Sequence, residues 1–223
     1  ERVPLERLDI VGLSARYDSD AGVDDVTVSI SKGELVVVTG PVGSGKSTLL
    51  RAVLGLAWQA EVTGETRWNG VRLDDPAGFL VPPNAAFLPQ VPQLISDSLA
   101  DNIGFGSADA SDVDRAIALA AMEADVAMMP SGIETLIGPR GLRLSGGQRQ
   151  RLAGARAVVH QPELVVLDDL SSALDVETEL QFWNNLAEAG MTVLAVSHRA
   201  VAFERADRVV RLEDGRVAAI TES

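Results

Sequence analysis

One stretch restricts the possible folds more than any other: ELVVVTGPVGSGKSTLLRAVLGLA, residues 34–57. Its first part, ELVVVTG (34–40), is a short apolar run ended by glycine and reads as a strand buried on both faces. Its last part, GKSTLLRAVLGLA (45–57), places Leu49, Leu50, Val53 and Leu54 at helical spacing. Between them GPVGSGKST (40–48) matches G-x-x-x-x-G-K-[ST], with Gly40, Gly45, Lys46 and Ser47 at the fixed positions. Such glycines let the backbone curl so that successive N–H groups point inward at phosphate oxygens. The helix that follows aims its positive dipole end at the same place. Gly40, Pro41, Val42, Gly43, Ser44, Gly45, Lys46, Ser47 and Thr48 are therefore candidate nucleotide-binding residues. Lys46 can reach the β- and γ-phosphates of a nucleotide, and the Ser47 hydroxyl can ligate Mg²⁺. Lysine occurs only at Lys32 and Lys46, which makes one inside a glycine loop conspicuous.

A second stretch, LVVLDDLSSALD (164–175), runs four apolar residues into Asp168 and Asp169. Two carboxylates at the end of a buried strand are costly unless a cation compensates them. A phosphate-loop enzyme needs a carboxylate on a neighbouring strand end to hold Mg²⁺ through its water shell. Asp168 fits that role.

Other segments alternate between strand and helix. VDDVTVSI alternates apolar and polar residues, so the first segment reads as antiparallel strands with a turn at Asp20 to Gly22. GETRWNGVRL (64–73) and DRVVRLEDGRVAAI (207–220) read as hairpins turning at Asn69-Gly70 and Asp214-Gly215. AAFLPQ (85–90) and MTVLAVSH (191–198) read as strands, and VETELQFWNNLAEAG (176–190) as a helix stopped by Gly190. Alanine-rich SDVDRAIALAAMEADVAMM (111–129) reads as one helix with Ser111 or Asp112 as N-cap. Together these predict an α/β fold: a phosphate-loop core with a mainly parallel sheet, an N-terminal antiparallel β subdomain and a helical insert. The 223 residues are expected to form one domain, with 1–90 and 151–223 as the core and 91–150 as the helical part. Trp58, Trp68 and Trp183 are expected to pack, and His160 to lie on the surface.

Net charge is −13, which disfavours nucleic acid as a partner. There is no cysteine, so disulfides and thiolate metal sites are excluded. No apolar run approaches the roughly 20 residues of a membrane-spanning helix. The chain begins with Glu rather than Met, which suggests a domain of a longer polypeptide.

RLSGGQRQR (143–151) adds a second helix start with exposed N–H groups and a hydroxyl, another anion site. Two such sites make sense if the second serves a nucleotide held by a partner. With this motif in place the chain resembles the nucleotide-binding domain of an ABC transporter over nearly its whole length. The motifs stand in family order: GPVGSGKST (Walker A), Gln90 in FLPQ, LSGGQ (144–148, the signature), LVVLDD (Walker B), SALD (172–175) and His198 in SHR.

The resemblance implies further roles. Tyr17 resembles the aromatic that stacks on adenine. Gln90 resembles the residue that senses Mg²⁺ and the attacking water and signals to the membrane domain. His198 resembles the histidine that contacts the γ-phosphate. Ser145, Gly146, Gly147 and Gln148 would cover ATP bound to a second ABC ATPase domain, so partners would be that domain and a transmembrane domain. The location implied is the cytoplasmic face of the cell membrane. LPQVPQLISDSLADNIGFG (88–106) and TLIGPRGLRLSGGQ (135–148) resemble exporter patterns, although Pro139 occupies a position where the family usually has Glu. The less favoured alternatives are an ABC ATPase outside transport and a nucleotide-gated binding module with negligible hydrolysis.

The family usually has glutamate after the Walker B aspartate, as the group that polarises the attacking water. Here it is Asp169, and Leu170 stands where proline is usual. One methylene less in reach matters because misplacing a reacting group by ~1 Å can cost ~10²-fold. Three readings follow: slow but adequate hydrolysis, a degenerate ATP-binding half of a heterodimer, or ordinary turnover. The distance argument favours the first two. Lys46, Gln90, Asp169 and His198 are the expected catalytic residues, and Ser47, Gln90 and Asp168 the expected metal ligands.

Overall fold

The computed structural model describes residues 1–18 and 22–222. Along the chain come β1 (Arg7–Arg16), β2 (Gly22–Ser31), β3 (Leu35–Thr39), α1 (Lys46–Val53), β4 (Glu61–Trp68), β5 (Val71–Arg72), α2 (Pro76–Phe79) and β6 (Ala85–Leu88). Next come helices α3 (Leu99–Gly104), α4 (Ala110–Leu119), α5 (Glu123–Met128) and α6 (Gly146–Val158). The chain then continues through β7 (Leu164–Asp168), α7 (Val176–Glu188), β8 (Thr192–Val196), α8 (Ala200–Arg205), β9 (Arg208–Glu213) and β10 (Arg216–Glu222).

The larger sheet has the order β10-β9-β3-β8-β7-β6. It is parallel except for β10, which returns antiparallel to β9. Every residue of β7 and β8 is buried, which explains the apolar runs 164–167 and 193–196 within them. Alternate side chains enter two cores. Val36, Val38, Val166, Leu194 and Val196 pack with α1 and the small sheet. Val37, Val165, Leu167, Val193 and Ala195 pack with α6, α7 and the helical insert. Phe182 and Trp183 anchor this second core, fully buried and edge-to-face at 5.9 Å. Burying each is worth about 1.5–3 kcal/mol. The small sheet, β2-β1-β4-β5, is antiparallel throughout.

Both hairpin turns follow from their residues. Asn69 and Gly70 (φ 53° and 81°) join Trp68 to Val71, and Asp214 and Gly215 (φ 47° and 78°) join Glu213 to Arg216. Two consecutive positive φ values are what the tightest hairpins require. The turn expected at Asp20 to Gly22 lies outside the described residues, except for Gly22 at the start of β2.

Several expectations need correction. The single helix over 111–129 is two, α4 and α5, because Ala121 is left-handed (φ 51°) and breaks the ladder. Its N-cap is Asp109, whose carboxylate accepts from the Asp112 N–H at 2.9 Å. Ser111 and Asp112 lie inside the first turn. α1 stops at Val53 rather than Ala57, and Gly55 (φ 69°) turns the chain away. Trp58, beyond that end, is 84% exposed and does not pack. Trp68 and Trp183 do. His160 is half-buried, with Nε2 3.3 Å from the Ser107 hydroxyl. The boundary expected at 150/151 falls inside α6.

Candidate nucleotide site

Parallel pairing places the carboxyl ends of β3, β6, β7 and β8 along one edge of the sheet. Val38 lies opposite Val196, Val196 opposite Asp168, and Leu167 opposite Leu88. Four loops therefore leave the sheet together: the glycine loop after β3, Gln90 after β6, Asp169 after β7 and His198 after β8. Ligands of open parallel sheets bind at this end of the strands.

The glycine loop closes directly onto α1. Gly45 has φ 94°, and a Cβ there would stand 2.4 Å from the Gly22 carbonyl oxygen. Only glycine fits both the backbone and the space. Lys46 opens the helix and is 7% exposed, so its ammonium needs partners. It donates to the carbonyls of Gly40 at 3.0 Å and Pro41 at 2.7 Å. Burial lowers its pKa, and the charges of Asp168 and Asp169 oppose that shift. Tyr17, Gly22, Gly43, Gly45, Lys46, Ser47 and Thr48 line a cavity of about 230 Å³ over the loop. Val42 points out, 98% exposed.

The aspartates behave differently. Asp168 is 2% exposed; its Oδ1 accepts the Ser47 hydroxyl at 2.8 Å, and its Oδ2 is buried without a partner. Burial raises its pKa, against the lowering effects of the Ser47 hydrogen bond and the Arg51 and Lys46 charges. Asp169 is half-buried and left-handed (φ 52°), and its N–H donates to the Val196 carbonyl at 3.2 Å. Its Oδ2 accepts from Gln90 Nε2 at 3.1 Å. His198 is exposed beyond Ser197.

Ser145 caps α6. Its hydroxyl accepts from the Gln148 N–H, while the Gln148 amide oxygen accepts from the Ser145 N–H. Gly146 and Gly147 abut Ala173 in the short turn Leu170–Ala173. Among the described residues, none of 145–148 lines the cavity over Lys46. Thus Tyr17, the glycine loop and Ser47–Asp168 come together, Gln90 joins Asp169, and the signature stands apart.

One structural link has no counterpart in the sequence reading. Gln150 is buried in α6, and its Nε2 donates to the Gln90 carbonyl at 2.9 Å. A polar side chain on the buried face of an amphipathic helix was the available signal.

The mostly parallel sheet, the lysine-bearing glycine loop and the separate Ser-Gly-Gly-Gln helix start define an ATP-binding cassette. The ABC transporter family pattern matches residues 23–172, and the chain belongs to that family of ATPases, whose members bind ATP. An ATP-dependent lipid A-core flippase of Burkholderia pseudomallei is 38% identical over 203 residues, 90% of this chain and 34% of the relative. The probable multidrug resistance ABC transporter ATP-binding/permease protein YheI of Bacillus subtilis is 37% identical over 205 residues, 88% of this chain and 34% of the relative. A bacterial Atm1-family ABC exporter solved with ATP bound superposes with a TM-score of 0.88 at 28% identity, covering 100% of this chain and 39% of the exporter chain. The chain is thus homologous to the ATP-binding part of exporters and spans about a third of the length of these curated relatives. No helix of the described residues is long and apolar enough to cross a membrane.

Proposed function

We propose that the chain hydrolyses ATP with Mg²⁺ to power export through a membrane domain, at the cytoplasmic face of the membrane. The observation that carries this reading is the hydrogen bond from Ser47, which lines one small cavity with Lys46, to the buried Asp168. The Asp168 oxygen left without a partner fits a Mg²⁺-bound water. Among the described residues no cluster of three or more His, Cys, Asp or Glu could hold an ion alone. Ser47, Gln90 and Asp168 would share the metal with the nucleotide's phosphates. When bound, Mg²⁺ neutralises charge on the β- and γ-phosphate oxygens.

The residues divide the work. Lys46 exchanges its two carbonyl partners for phosphate oxygens, and the loop N–H groups of Gly43 to Thr48 hold the rest. Tyr17 supplies a flat face for adenine at the cavity rim. Asp169 accepts a proton from the attacking water as its oxygen bonds to the γ-phosphorus. The bond to the β-phosphate oxygen then breaks, and ADP and phosphate leave. His198 steadies the γ-phosphate from the end of β8. Ser145 to Gln148 act on the ATP of a second ABC ATPase domain in a head-to-tail pair, a reading supported by their absence from the Lys46 cavity. A groove of about 440 Å³ beside Gln90, lined by Phe87, Pro89, Phe105, Arg156 and His160 among others, suits a helix of the membrane domain.

The Asp169–Gln90 hydrogen bond favours slow turnover. A carboxylate held by the Gln90 amide and one methylene shorter than glutamate reaches less far toward an attacking water. The second reading, a degenerate half that holds ATP while its partner hydrolyses, rests on the same contact. Single-turnover hydrolysis by Asp169→Glu tests the misplaced base. We expect a rate about tenfold to a hundredfold above wild type. We also expect a stability loss of at most about 1–2 kcal/mol, because glutamate tolerates a left-handed backbone less well than aspartate. An unchanged rate would remove the misplaced base.

A further inference from the structure

We infer that Asp125, on α5, is a positioning residue for the signature: it fixes the Gln148 amide so that Ser145 and its glycines face the partner's nucleotide. This rests on the proposed head-to-tail pair. Asp125 is 9% exposed, whereas its neighbour on the helix, Glu123, points to solvent. A carboxylate so nearly buried is costly unless paired. Arg151, three residues after Gln148 on α6, supplies the charge: its Nε and Nη2 donate to Oδ2 at 2.9 and 2.5 Å. Both side chains are 12% exposed, so water competes little for the pair.

The other oxygen carries the consequence. Oδ1 of Asp125 accepts from Gln148 Nε2 at 3.1 Å. An ionised carboxylate can only accept, so it selects the NH₂ end of the amide. The Gln148 oxygen is thereby turned to the Ser145 N–H, 2.9 Å away. The Gln148 N–H in turn donates to the Ser145 hydroxyl oxygen at 3.2 Å. That contact uses a lone pair of the serine oxygen and leaves its O–H available to donate to a phosphate oxygen. Ser145 is exposed, and no member of this chain of contacts lines the cavity over Lys46. A capping box by itself would leave the outer end of the amide free to rotate. Asp125 holds that end, so the cap has one orientation before the partner arrives, and its loss is felt on pairing rather than on nucleotide uptake.

Two variants test this. Asp125→Asn offers one acceptor oxygen where three N–H donors converge, one from Gln148 and two from Arg151. Asp125→Leu combined with Arg151→Leu removes the ion pair as a unit, a replacement that buried pairs commonly tolerate, and still deprives Gln148 of its acceptor. Calorimetry on the monomer with Mg²⁺ and a non-hydrolysable ATP analogue should give wild-type affinity for both. Sedimentation with the same analogue should show pairing weakened by about tenfold or more, the loss of one charged hydrogen bond at a site that must be preorganised. Mixing either variant with Lys46→Ala chains should restore ATP hydrolysis, because one composite site then joins an intact glycine loop to an intact signature. Variants that pair like wild type would overturn the proposal, as would nucleotide affinity that falls in step with pairing. A wild-type chain that never pairs with ATP present would instead sink a head-to-tail pair of two like chains, the form of the reading on which this role rests.

Discussion

Asp168 keeps one oxygen on the Ser47 hydroxyl and the other buried without a partner. Burial is the main cause of its raised pKa, so the folded protein binds this proton more tightly than the unfolded chain does. Ionised Asp168 destabilises the nucleotide-free fold above its raised folded-state value, and the penalty disappears as pH falls toward the ordinary carboxylate range. Asp168→Asn removes the charge at every pH. At neutral pH it should raise the Tm of the nucleotide-free protein by about 2–4 °C, the shift that about 1 kcal/mol gives in a chain of this size. It should also abolish the extra stabilisation that Mg²⁺ adds to ATP. Calorimetric melts of wild type and variant between neutral and mildly acidic pH isolate the effect as a difference, which should shrink on acidification. A variant that melts below wild type at neutral pH would contradict the account.

At the scale of an element, the strand–loop–helix unit β3–α1 depends on where its glycines sit. Gly43 (φ 84°) has nothing within 4 Å of a built Cβ, while at Gly45 (φ 94°) the Cβ would meet a backbone carbonyl at 2.4 Å. Gly43→Ala should cost only the left-handed backbone, about 1–2 kcal/mol. Gly45→Ala adds a clash with β2 that no rotamer relieves, and should cost clearly more in urea unfolding. Equal costs at the two positions would mean that the loop re-forms around the extra methyl. The same contrast separates what the sequence made legible from what it left hidden. β3, β7 and β8 were readable because strands buried on both faces must be apolar throughout, and both hairpins because Asn-Gly and Asp-Gly specify positive φ. The break between α4 and α5 was not readable: Ala121 is an alanine in an alanine-rich run, yet it takes the left-handed cap position that glycine usually fills, with the Met122 N–H donating to the Ile117 carbonyl and the Ala121 N–H to the Ala118 carbonyl. Trp58 misled for a related reason, since hydrophobic type says nothing once a residue lies past the end of its helix. At the site, the motifs pointed to Lys46 and Ser47 because phosphate chemistry fixes their spacing, and to Asp168 because a carboxylate that ends a buried strand needs a cation. The contacts of Asp125 and Gln150 join segments distant in sequence, so no local pattern names their partners.

For the whole molecule, the net charge of −13 matters most when a second ATP-binding domain approaches. If that domain is another copy of this chain, two strongly acidic bodies carrying ATP must meet face to face. Long-range repulsion then opposes the encounter, and added salt screens it, since the Debye length falls from about 30 Å at 0.01 M to about 10 Å at 0.1 M. Pairing driven by a non-hydrolysable ATP analogue should therefore tighten as ionic strength rises over this range, mainly through a faster association rate. A heterologous partner of opposite charge would give the reverse slope, because screening would remove attraction. Sedimentation of the isolated chain with the analogue, across a salt series at constant free Mg²⁺, measures that slope. Tightening with salt supports self-pairing. Pairing that weakens with salt would mean that the two faces attract through local charges the net value conceals, and absent pairing at every salt concentration would shift the case to an unlike partner, with Asp169 on the slower side of the pair.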